Sequence, residues 1–444
     1  MRILLVQNAS YIPIHGGAEK SNRMLVEGLA ARGHDCRVVA RVYLENTSSA
    51  RLWFLDHLAA QGAQVLETLR GVVAFQHKGV KVYAATDGAC LRKCLLQQIR
   101  EFAPTRTLVP SGDPGQVLLE AALKTSPAPV TYMARGTSDL PFGPDSFLAS
   151  RVRTALLRQT ADILAVSHFL AEYIRRWSGL DAKVLPISLF GSGPFPRFGC
   201  FDEGWVTMIN PCAYKGISIF LALARSLPDV QFAAVPMWGT TSADRTALEE
   251  LSNVTLLEPT EDIDEIFSHT RVLLMPSLWA EAGARTVVEA MLRGIPVLAS
   301  DVGGIPEAKL GVDYLLPVSP IERYKEGLDD RMFPIPVVPD QDVGPWLEAL
   351  GELLSDRGRY DRLSEISRKA AQAFVTERGG VERIERFLES LSLSSRVGYS
   401  DAFVEQASRQ WEKKEPRELG ANLTAKKRAL LALRLKERRG QDSQ

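Results

Sequence analysis

Two glutamates, Glu281 and Glu289, stand eight residues apart and enclose a run of small residues, Ala282-Gly283-Ala284. A carboxylate can accept hydrogen bonds from two neighbouring hydroxyls at once, as a ribose or a hexose presents them. Small residues at a helix start leave its backbone amides accessible to a phosphate oxygen. The segment therefore indicates a site for a ligand built of ribose, diphosphate and hexose. The alternative is a capping glutamate and a surface salt bridge.

A second candidate turn is Asn210-Pro211-Cys212-Ala213-Tyr214-Lys215-Gly216, which precedes a helical pattern. Lys215 lies at the mouth of a helix N-terminus, where a cation opposes the helix dipole unless an anion lies between them. A diphosphate would supply that anion. The alternative is a solvated surface lysine.

A third candidate turn ends in His15-Gly16-Gly17, and a helix is predicted from Ala18. Paired glycines let the backbone approach a bulky phosphate or sugar without an intervening Cβ. The alternative is a plain turn that needs a positive φ.

The elements that must position these turns alternate between strand and helix, which predicts parallel sheets covered on both faces. In the first half, helical patterns at 18–32, 88–101, 115–125, 147–160 and 168–178 separate strands at 2–8, 36–42, 64–67, 80–85, 106–110, 129–134, 162–166 and 183–187. A segment rich in glycine and proline, 190–204, interrupts the alternation and is typical of a linker. Further strands are then predicted at 205–210, 230–235, 254–258, 271–275 and 295–299.

A chain of 444 residues exceeds the roughly 250–300 residues that one hydrophobic core serves. We therefore predict an α/β protein with two similar, doubly wound parallel-sheet domains at 1–195 and 204–356. Helices follow at 357–395, and a helical basic tail occupies 396–444. The three turns all follow strands, and open parallel sheets bind ligands beyond the C-terminal ends of their strands.

Composition excludes several classes of function. Lys plus Arg equals Asp plus Glu at 53 each, which gives no reason to expect nucleic acid as a partner. The apolar run Ile3–Val6 is too short for a signal peptide, and no stretch approaches the roughly 20 apolar residues of a membrane span. Five cysteines without a companion histidine pair predict reduced thiols and no metal site. We expect a cytoplasmic protein.

The motif Glu281-x7-Glu289, continued by Ala290-Met291, Gly294-x-Pro296-Val297 and Gly303-Gly304-x-Pro306-Glu307, resembles the donor-site signature of GT-B glycosyltransferases of family 4. The resemblance covers residues 1 to 392. It implies two Rossmann-like domains that face a cleft. It also implies a retaining, metal-independent transfer of a sugar, hexosyltransferase-type, from a nucleoside-diphosphate donor to an acceptor. No cofactor is expected, and a UDP-sugar is the favoured donor.

The resemblance assigns roles to individual residues. Glu289 would hold the donor ribose, Glu281 would contact hydroxyls of the transferred sugar, and Lys215 would contact the diphosphate. The expected catalytic residues are Glu281, Lys215 and Arg135. The expected donor-binding residues are Gly16, Gly17, Pro211, Lys215, Glu258, Thr260, Glu281, Ala282, Gly283, Ala284, Arg285 and Glu289.

Two positions depart from the family pattern. The family usually has an arginine a few residues before its lysine, where this chain has Asn210-Pro211-Cys212. Arg285 either supplies the missing charge or faces solvent. Many members have a histidine after the strand that matches 129–134, where this chain has Arg135. Arg135 either takes over a contact with acceptor or phosphate, or the catalytic step is altered.

The acceptor is not named by any side-chain pattern, although segments 10–16, 86–88, 111–114 and 135–143 are candidates to line its site. Natural-product or cell-surface glycan biosynthesis are the expected settings. Two other functions stay open. One is a nucleotide-sugar epimerase, and the other is a GT-B binding or docking module without catalysis.

The segment 423–439 predicts a basic, leucine-rich helix. It resembles linkers that border condensation domains in nonribosomal peptide synthetases, which implies docking to a partner protein. A basic amphipathic helix can equally contact an anionic membrane surface, or it can be solvated without a partner.

Overall fold

The computed structural model describes residues 1–391, apart from 45, 46, 70, 187, 188, 192, 332 and 379. The predicted tail, 396–444, and its helix at 423–439 lie outside the described residues. No helix in the described part of the chain is both long and apolar enough to cross a membrane.

The N-terminal half forms a nine-stranded sheet in the order β3-β4-β5-β2-β1-β6-β7-β8-β9. Its strands are β1 (Arg2–Gln7), β2 (Asp35–Arg41), β3 (Gln64–Leu69), β4 (Val72–His77), β5 (Val80–Ala85), β6 (Arg106–Pro110), β7 (Val130–Ala134), β8 (Asp162–Ala165) and β9 (Lys183–Val184). The helices around it are α1 (Gly17–Ala31), α2 (Ser48–Ala60), α3 (Gly88–Phe102), α4 (Val117–Thr125), α5 (Arg151–Leu157) and α6 (His168–Ser178).

The second half repeats this architecture with a six-stranded parallel sheet in the order β12-β11-β10-β13-β14-β15. Its strands are β10 (Trp205–Ile209), β11 (Phe232–Val235), β12 (Val254–Leu256), β13 (Thr270–Met275), β14 (Val297–Ser300) and β15 (Leu315–Leu316), and the hairpin β16 (Tyr324–Leu328) and β17 (Pro334–Pro336) follows. The helices are α7 (Ile217–Ser226), α8 (Ser242–Glu249), α9 (Ile263–Phe267), α10 (Arg285–Leu292), α11 (Ile305–Ala308) and α12 (Gly344–Ser355). The predicted α/β class with parallel sheets in two domains is confirmed.

Two long helices end the described chain, α13 (Arg357–Arg378) and α14 (Val381–Ser390). Buried side chains of α13, among them Tyr360 and Ala371, join the core of the second domain. Buried side chains of α14, Ile384 and Leu388, join the core of the first domain. The chain therefore returns to the domain in which it began.

The sequence prediction was wrong at several places in the first domain. It omitted β4, which pairs antiparallel with β3 and β5. It extended one strand over 183–187, whereas the strand covers Lys183–Val184, residues 185 and 186 lie outside it, and residue 187 is not among the described residues. It also began a helix at 147, but Phe147 N donates to Ser138 O, so this residue stays in the preceding loop. The helix starts at Arg151 behind its cap Ser150.

Candidate functional site

Lys215 and Glu281 meet at the C-terminal ends of β10 and β13. The Lys215 ammonium donates to Glu281 Oε1, and the same oxygen accepts from Ser277 Oγ and Trp279 Nε1, each at 2.7 Å. Burial alone would raise the pKa of Glu281, but Lys215 and these hydrogen bonds lower it below its ordinary value. Glu281 is therefore an anion. All three hydrogen bonds end on Oε1, so Oε2 is left to accept from a ligand hydroxyl.

Close backbone packing holds Glu281 in place. Gly304 N donates to Glu281 O at 2.6 Å. A Cβ on Gly303, whose φ is +62°, would lie 2.7 Å from the Glu281 backbone, so only glycine lets the two loops approach this closely. The glycine pair of the sequence motif thus supports the carboxylate that precedes it.

The start of α10 presents amides without a side-chain cap. Ala284 is its N-cap residue and makes no capping hydrogen bond, and Gly283 before it is exposed. A helix N-terminus of this kind can bind a phosphate oxygen through its free N–H groups and its dipole. Of the small residues predicted to expose this helix start, Gly283 is exposed, whereas Ala282 and Ala284 are buried.

Arg285 lies buried between the domains and does not face solvent. Its Nε donates to Glu289 Oε1 at 2.9 Å, and the two side chains are only 7% and 10% exposed. Its Nη1 donates to Ser21 Oγ at 3.1 Å on α1, and its guanidinium lies 4.9 Å from the ring centroid of Phe190. The hydrogen bond from Arg285 thus ends on Glu289 Oε1 and not on Oε2.

Arg135 follows β7 on the opposite wall of the cleft. Its Nη2 donates to Asn22 Oδ1, and Asn22 Nδ2 donates to Gln7 Oε1 at 3.0 Å. Burial, followed by the nearby charge of Arg285, lowers the pKa of Arg135 to about 9. Among the described residues, no carboxylate pairs with Arg135. A buried cation beside a second cation is unfavourable unless an anion joins them.

The turn before α1 brings a carboxyl group close to the paired glycines. The helix starts at Gly17, and Gly16 is extended with φ −157°, so the plain turn with a positive φ is not what forms here. His15 N donates to Glu19 Oε2 at 2.6 Å. Burial raises the pKa of Glu19 to about 7.

The remaining expected donor-binding residues are Pro211, Glu258 and Thr260. Pro211 is buried within the turn 210–216, which carries Lys215 and is called the lysine turn below, and Glu258 is exposed after β12. Thr260 Oγ1 accepts from Asp262 N at 3.1 Å and so caps its own loop. The adjacent Glu261 ties this loop to the first domain, because its Oε1 accepts from Ile14 N at 3.3 Å.

Sequence reasoning missed three residues that support the site: Gln7, Asn22 and Glu261. Gln7 ends the first strand and Asn22 lies on the buried side of α1, at 3% and 4% exposure. Polar residues at such positions are a signal that could have been noticed, because buried polar groups require partners. Nothing local marks Glu261, whose partners lie in the other domain.

The candidate acceptor segments include three carboxyl groups, namely Asp87, which caps α3, Asp113 and Asp139. Asp113 Oδ2 accepts from Leu118 N at 2.9 Å and therefore caps α4. Burial and then the charge of Asp113 raise the pKa of Asp139 to about 7. Asp139 thus gains or loses a proton near neutral pH at this wall of the cleft.

One group among the described residues has the composition of a metal site: His34, Glu385 and Glu389. Both ring nitrogens of His34 already have partners, the N-terminal amine at 2.9 Å and Glu385 Oε1 at 2.7 Å. The group joins α14 to the first domain. The five cysteines are all free thiols.

Two Rossmann-like domains that meet along a cleft are the architecture of the GT-B fold. A family model described as glycosyl transferase 4-like domain matches residues 16–189, and one described as glycosyl transferases group 1 matches residues 204–330. The chain therefore belongs to the group 1, or family 4, glycosyltransferases.

Similar solved structures agree on the fold. Sucrose-phosphate synthase from Thermosynechococcus elongatus has a TM-score of 0.62 at 17% identity and covers 88% of this chain and 100% of its own. HepE from Anabaena, solved with UDP, has a TM-score of 0.56 at 18% identity over 88% and 100%. WaaG, a glycosyltransferase involved in lipopolysaccharide biosynthesis, has a TM-score of 0.55 at 14% identity over 87% and 100%.

A curated relative matches over a shorter stretch. Spore coat protein SA of Bacillus subtilis strain 168 is 29% identical over 113 residues, which is 26% of this chain. The match spans only 25% of that protein's own length.

Proposed function

We propose that this glycosyltransferase moves a hexose from a UDP-sugar to an acceptor with retention of anomeric configuration and without a metal ion. The observation that carries the proposal is the meeting of Lys215 with Glu281, whose second oxygen is left to bind a sugar hydroxyl. The Anabaena protein HepE has this fold and was solved with UDP-glucose, which supports a uridine donor.

The donor would lie across the start of α10. We place the ribose at Glu289 Oε2 and the transferred sugar at Glu281 Oε2. The diphosphate would lie between them, against the amides of 283–285. This order matches the order of the two carboxylates along the chain.

Catalysis would come from stabilising the departing diphosphate. Negative charge grows on it as the glycosidic bond breaks, and fixed positive groups aimed at that charge act in the transition state. Lys215, Arg285 and Arg135 supply three cations, and the α10 dipole adds to them. Arg135 and Arg285 would replace the arginine that this chain lacks near Pro211. These cations would stabilise the negative charge on the departing diphosphate in place of a metal ion.

The acceptor would approach from the first domain, along 111–114 and 135–143. Retention requires its oxygen to bond to the anomeric carbon on the face that the diphosphate leaves. We place the acceptor in natural-product or cell-surface glycan biosynthesis. The reducing cytoplasm suits a chain whose five cysteines are free thiols.

The test is turnover by purified protein of UDP-, dTDP- and GDP-sugars in the presence of EDTA, with products followed by NMR. We expect UDP release from a UDP-hexose, and an acceptor product with the donor's anomeric configuration. Full turnover in both Glu281→Ala and Lys215→Ala would show the site to be wrong. A changed sugar without any acceptor would instead indicate an epimerase.

A further inference from the structure

Glu307, on α11 of the second domain, bonds to the first domain through both carboxylate oxygens. Oε2 accepts from His168 N at 2.9 Å, and Oε1 accepts from Phe169 N at 2.5 Å. These are the first two amides of α6, where free N–H groups and the helix dipole favour a negative charge. A carboxylate of one domain therefore satisfies the helix start of the other.

Ser167 makes a second contact between the two domains, at the boundary that Glu307 also bridges. We call this boundary the seam. Its Oγ accepts from Leu170 N at 3.1 Å, which makes it the cap of α6. The same hydroxyl donates to Ala282 O at 2.5 Å, in the turn that follows Glu281. A Cβ on Gly283 would lie only 3.3 Å from Val166, so the two domains are in tight contact along this turn.

Both contacts lead to the backbone of the donor-site turn 281–284. Gly304 N donates to Glu281 O, and Gly304 immediately precedes α11, which carries Glu307. Ser167 holds the next carbonyl, that of Ala282. The Glu281 carbonyl is thus held from within the second domain by Gly304, and the Ala282 carbonyl is held from the first domain by Ser167. Separation of the domains would release the Ala282 carbonyl.

We propose that Glu307 and Ser167 are positioning residues, which hold the cleft closed and set the turn 281–284 in its donor-binding geometry. Both line the cavity that Gly283, Ala284 and Arg285 also border, and in this proposal they act through the turn. The proposal rests on the proposed function, because it takes 281–284 to be the donor site. We call the bonds of Glu307 to α6 and of Ser167 to Ala282 the closure contact.

Loss of the closure contact should weaken donor binding without changing the chemistry. If only the closed form binds the donor, the apparent dissociation constant rises as the closed fraction falls. A closed fraction reduced to about a tenth raises the donor KM about tenfold. The value of kcat at saturating donor should change less than about twofold, because donor binding restores closure.

The experiment compares wild type with Glu307→Ala, Glu307→Gln and Ser167→Ala. For each, the radius of gyration is measured by small-angle X-ray scattering with and without UDP, and KM and kcat are measured for the donor. We expect Glu307→Ala to be larger than wild type without UDP and to have the raised KM. Glu307→Gln keeps one acceptor oxygen for α6, so its radius of gyration and its KM should lie between those of wild type and Glu307→Ala.

Asp244 supplies the matched control. Its carboxylate also caps a helix, α8, but its hydrogen bonds stay within the second domain. Asp244→Ala should lower the melting temperature and leave both the radius of gyration and KM at wild-type values.

The proposal is overturned if Glu307→Ala keeps the wild-type radius of gyration without UDP or the wild-type KM. A kcat that falls while KM stays constant overturns it as well. If wild type turns over no donor, the proposed function fails, and the comparison of radii still decides whether Glu307 holds the domains together.

Discussion

At the scale of the residue, the cleft holds two buried ion pairs and one arginine that has no carboxylate partner among the described residues. Lys215 pairs with Glu281 and Arg285 pairs with Glu289, whereas the Arg135 guanidinium, within the described part of the chain, donates to the amide oxygen of Asn22 alone. Removal of one member of a buried pair leaves an uncompensated charge, which costs more than the pair contributes. Substitutions here therefore test the charge balance as well as the contacts.

Lys215→Ala should lower turnover by about 100- to 1,000-fold, because in the proposed function it removes a cation that stabilises the leaving diphosphate. It also removes the cation that lowers the pKa of Glu281, so that pKa should rise. Steady-state kinetics at saturating UDP-sugar measure the loss. Lys124→Ala, an exposed lysine on α4, is the control and should be fully active. Equal activity of the two variants would remove Lys215 from the mechanism.

Glu19 should make donor affinity depend on pH. Its pKa is raised from the ordinary value of 4.5 to about 7 in the folded protein. Between these two values the unfolded chain is ionised while the folded protein keeps the proton, so the free energy of unfolding falls as pH rises through this window. The ionised carboxylate would also repel the diphosphate at the Gly16-Gly17 turn. Calorimetry should show UDP binding weaken from pH 6 to pH 8 in wild type.

Glu19→Gln should remove most of this pH dependence, since the amide stays neutral across the range. Its melting temperature should match that of wild type at low pH and exceed it above pH 7. If the UDP affinities of wild type and Glu19→Gln changed with pH in the same way, Glu19 would not be the group that causes the pH dependence.

At the scale of the element, the site depends on short turns after strands. The sequence predicted the strands β10, β13 and β14 and the turns that follow them, because apolar runs and glycines mark them locally. It could not predict Asn22 beside Arg135 or Ser21 beside Arg285, since these partners are 113 and 264 residues apart. No periodicity encodes such pairings; they arise only when the domains pack. β4 was missed because an antiparallel strand, here between β3 and β5, interrupts a pattern otherwise typical of parallel sheets.

The lysine turn should not tolerate a side chain at Gly216. This residue has φ +79°, and a Cβ would lie 1.9 Å from Pro276 O at the end of β13. Gly216→Ala must shift the turn that carries Lys215, and a displacement of about 1 Å in a positioning group can cost about 100-fold in kcat/KM. Donor kinetics and the melting temperature measure the effect.

Gly351→Ala is the matched control within α12, where a Cβ meets nothing within 4 Å. It should raise the free energy of unfolding by about 0.5–1 kcal/mol, because alanine is the better helix former. If Gly216→Ala behaved like Gly351→Ala, the close packing of the lysine turn would have no functional role.

At the scale of the whole molecule, the two domains are joined more than once. The segment between β9 and β10 connects them, α13 and α14 connect them again, and Glu261 and Glu307 bridge the seam. Arg106 in β6 donates to Leu388 O at 2.5 Å and Leu391 O at 2.8 Å, which fastens α14 to the first sheet. The proposed opening and closing of the cleft would therefore bend the chain at both connections.

Leu388→Ala should lower the free energy of unfolding by about 2–5 kcal/mol, as expected for a fully buried leucine. The loss should fall on the first domain, whose core this side chain joins. Urea denaturation followed by tryptophan fluorescence gives the change. Arg386→Ala, on the exposed side of α14, should differ from wild type by less than about 0.5 kcal/mol. A Leu388→Ala protein as stable as wild type would show that α14 is dispensable for that core.

The return of α14 also constrains how the protein is made. During synthesis, the first domain leaves the ribosomal exit tunnel well before residues 384–391, which complete that domain's core. Domains usually fold as units from the N-terminus during synthesis. Here the nascent first domain carries an apolar surface, awaiting Ile384, Phe387 and Leu388, until the second domain has been synthesised. Nascent-chain pulse proteolysis should find the first domain becoming resistant only after about residue 391 has left the exit tunnel, so that translation speed across the second domain becomes a determinant of yield.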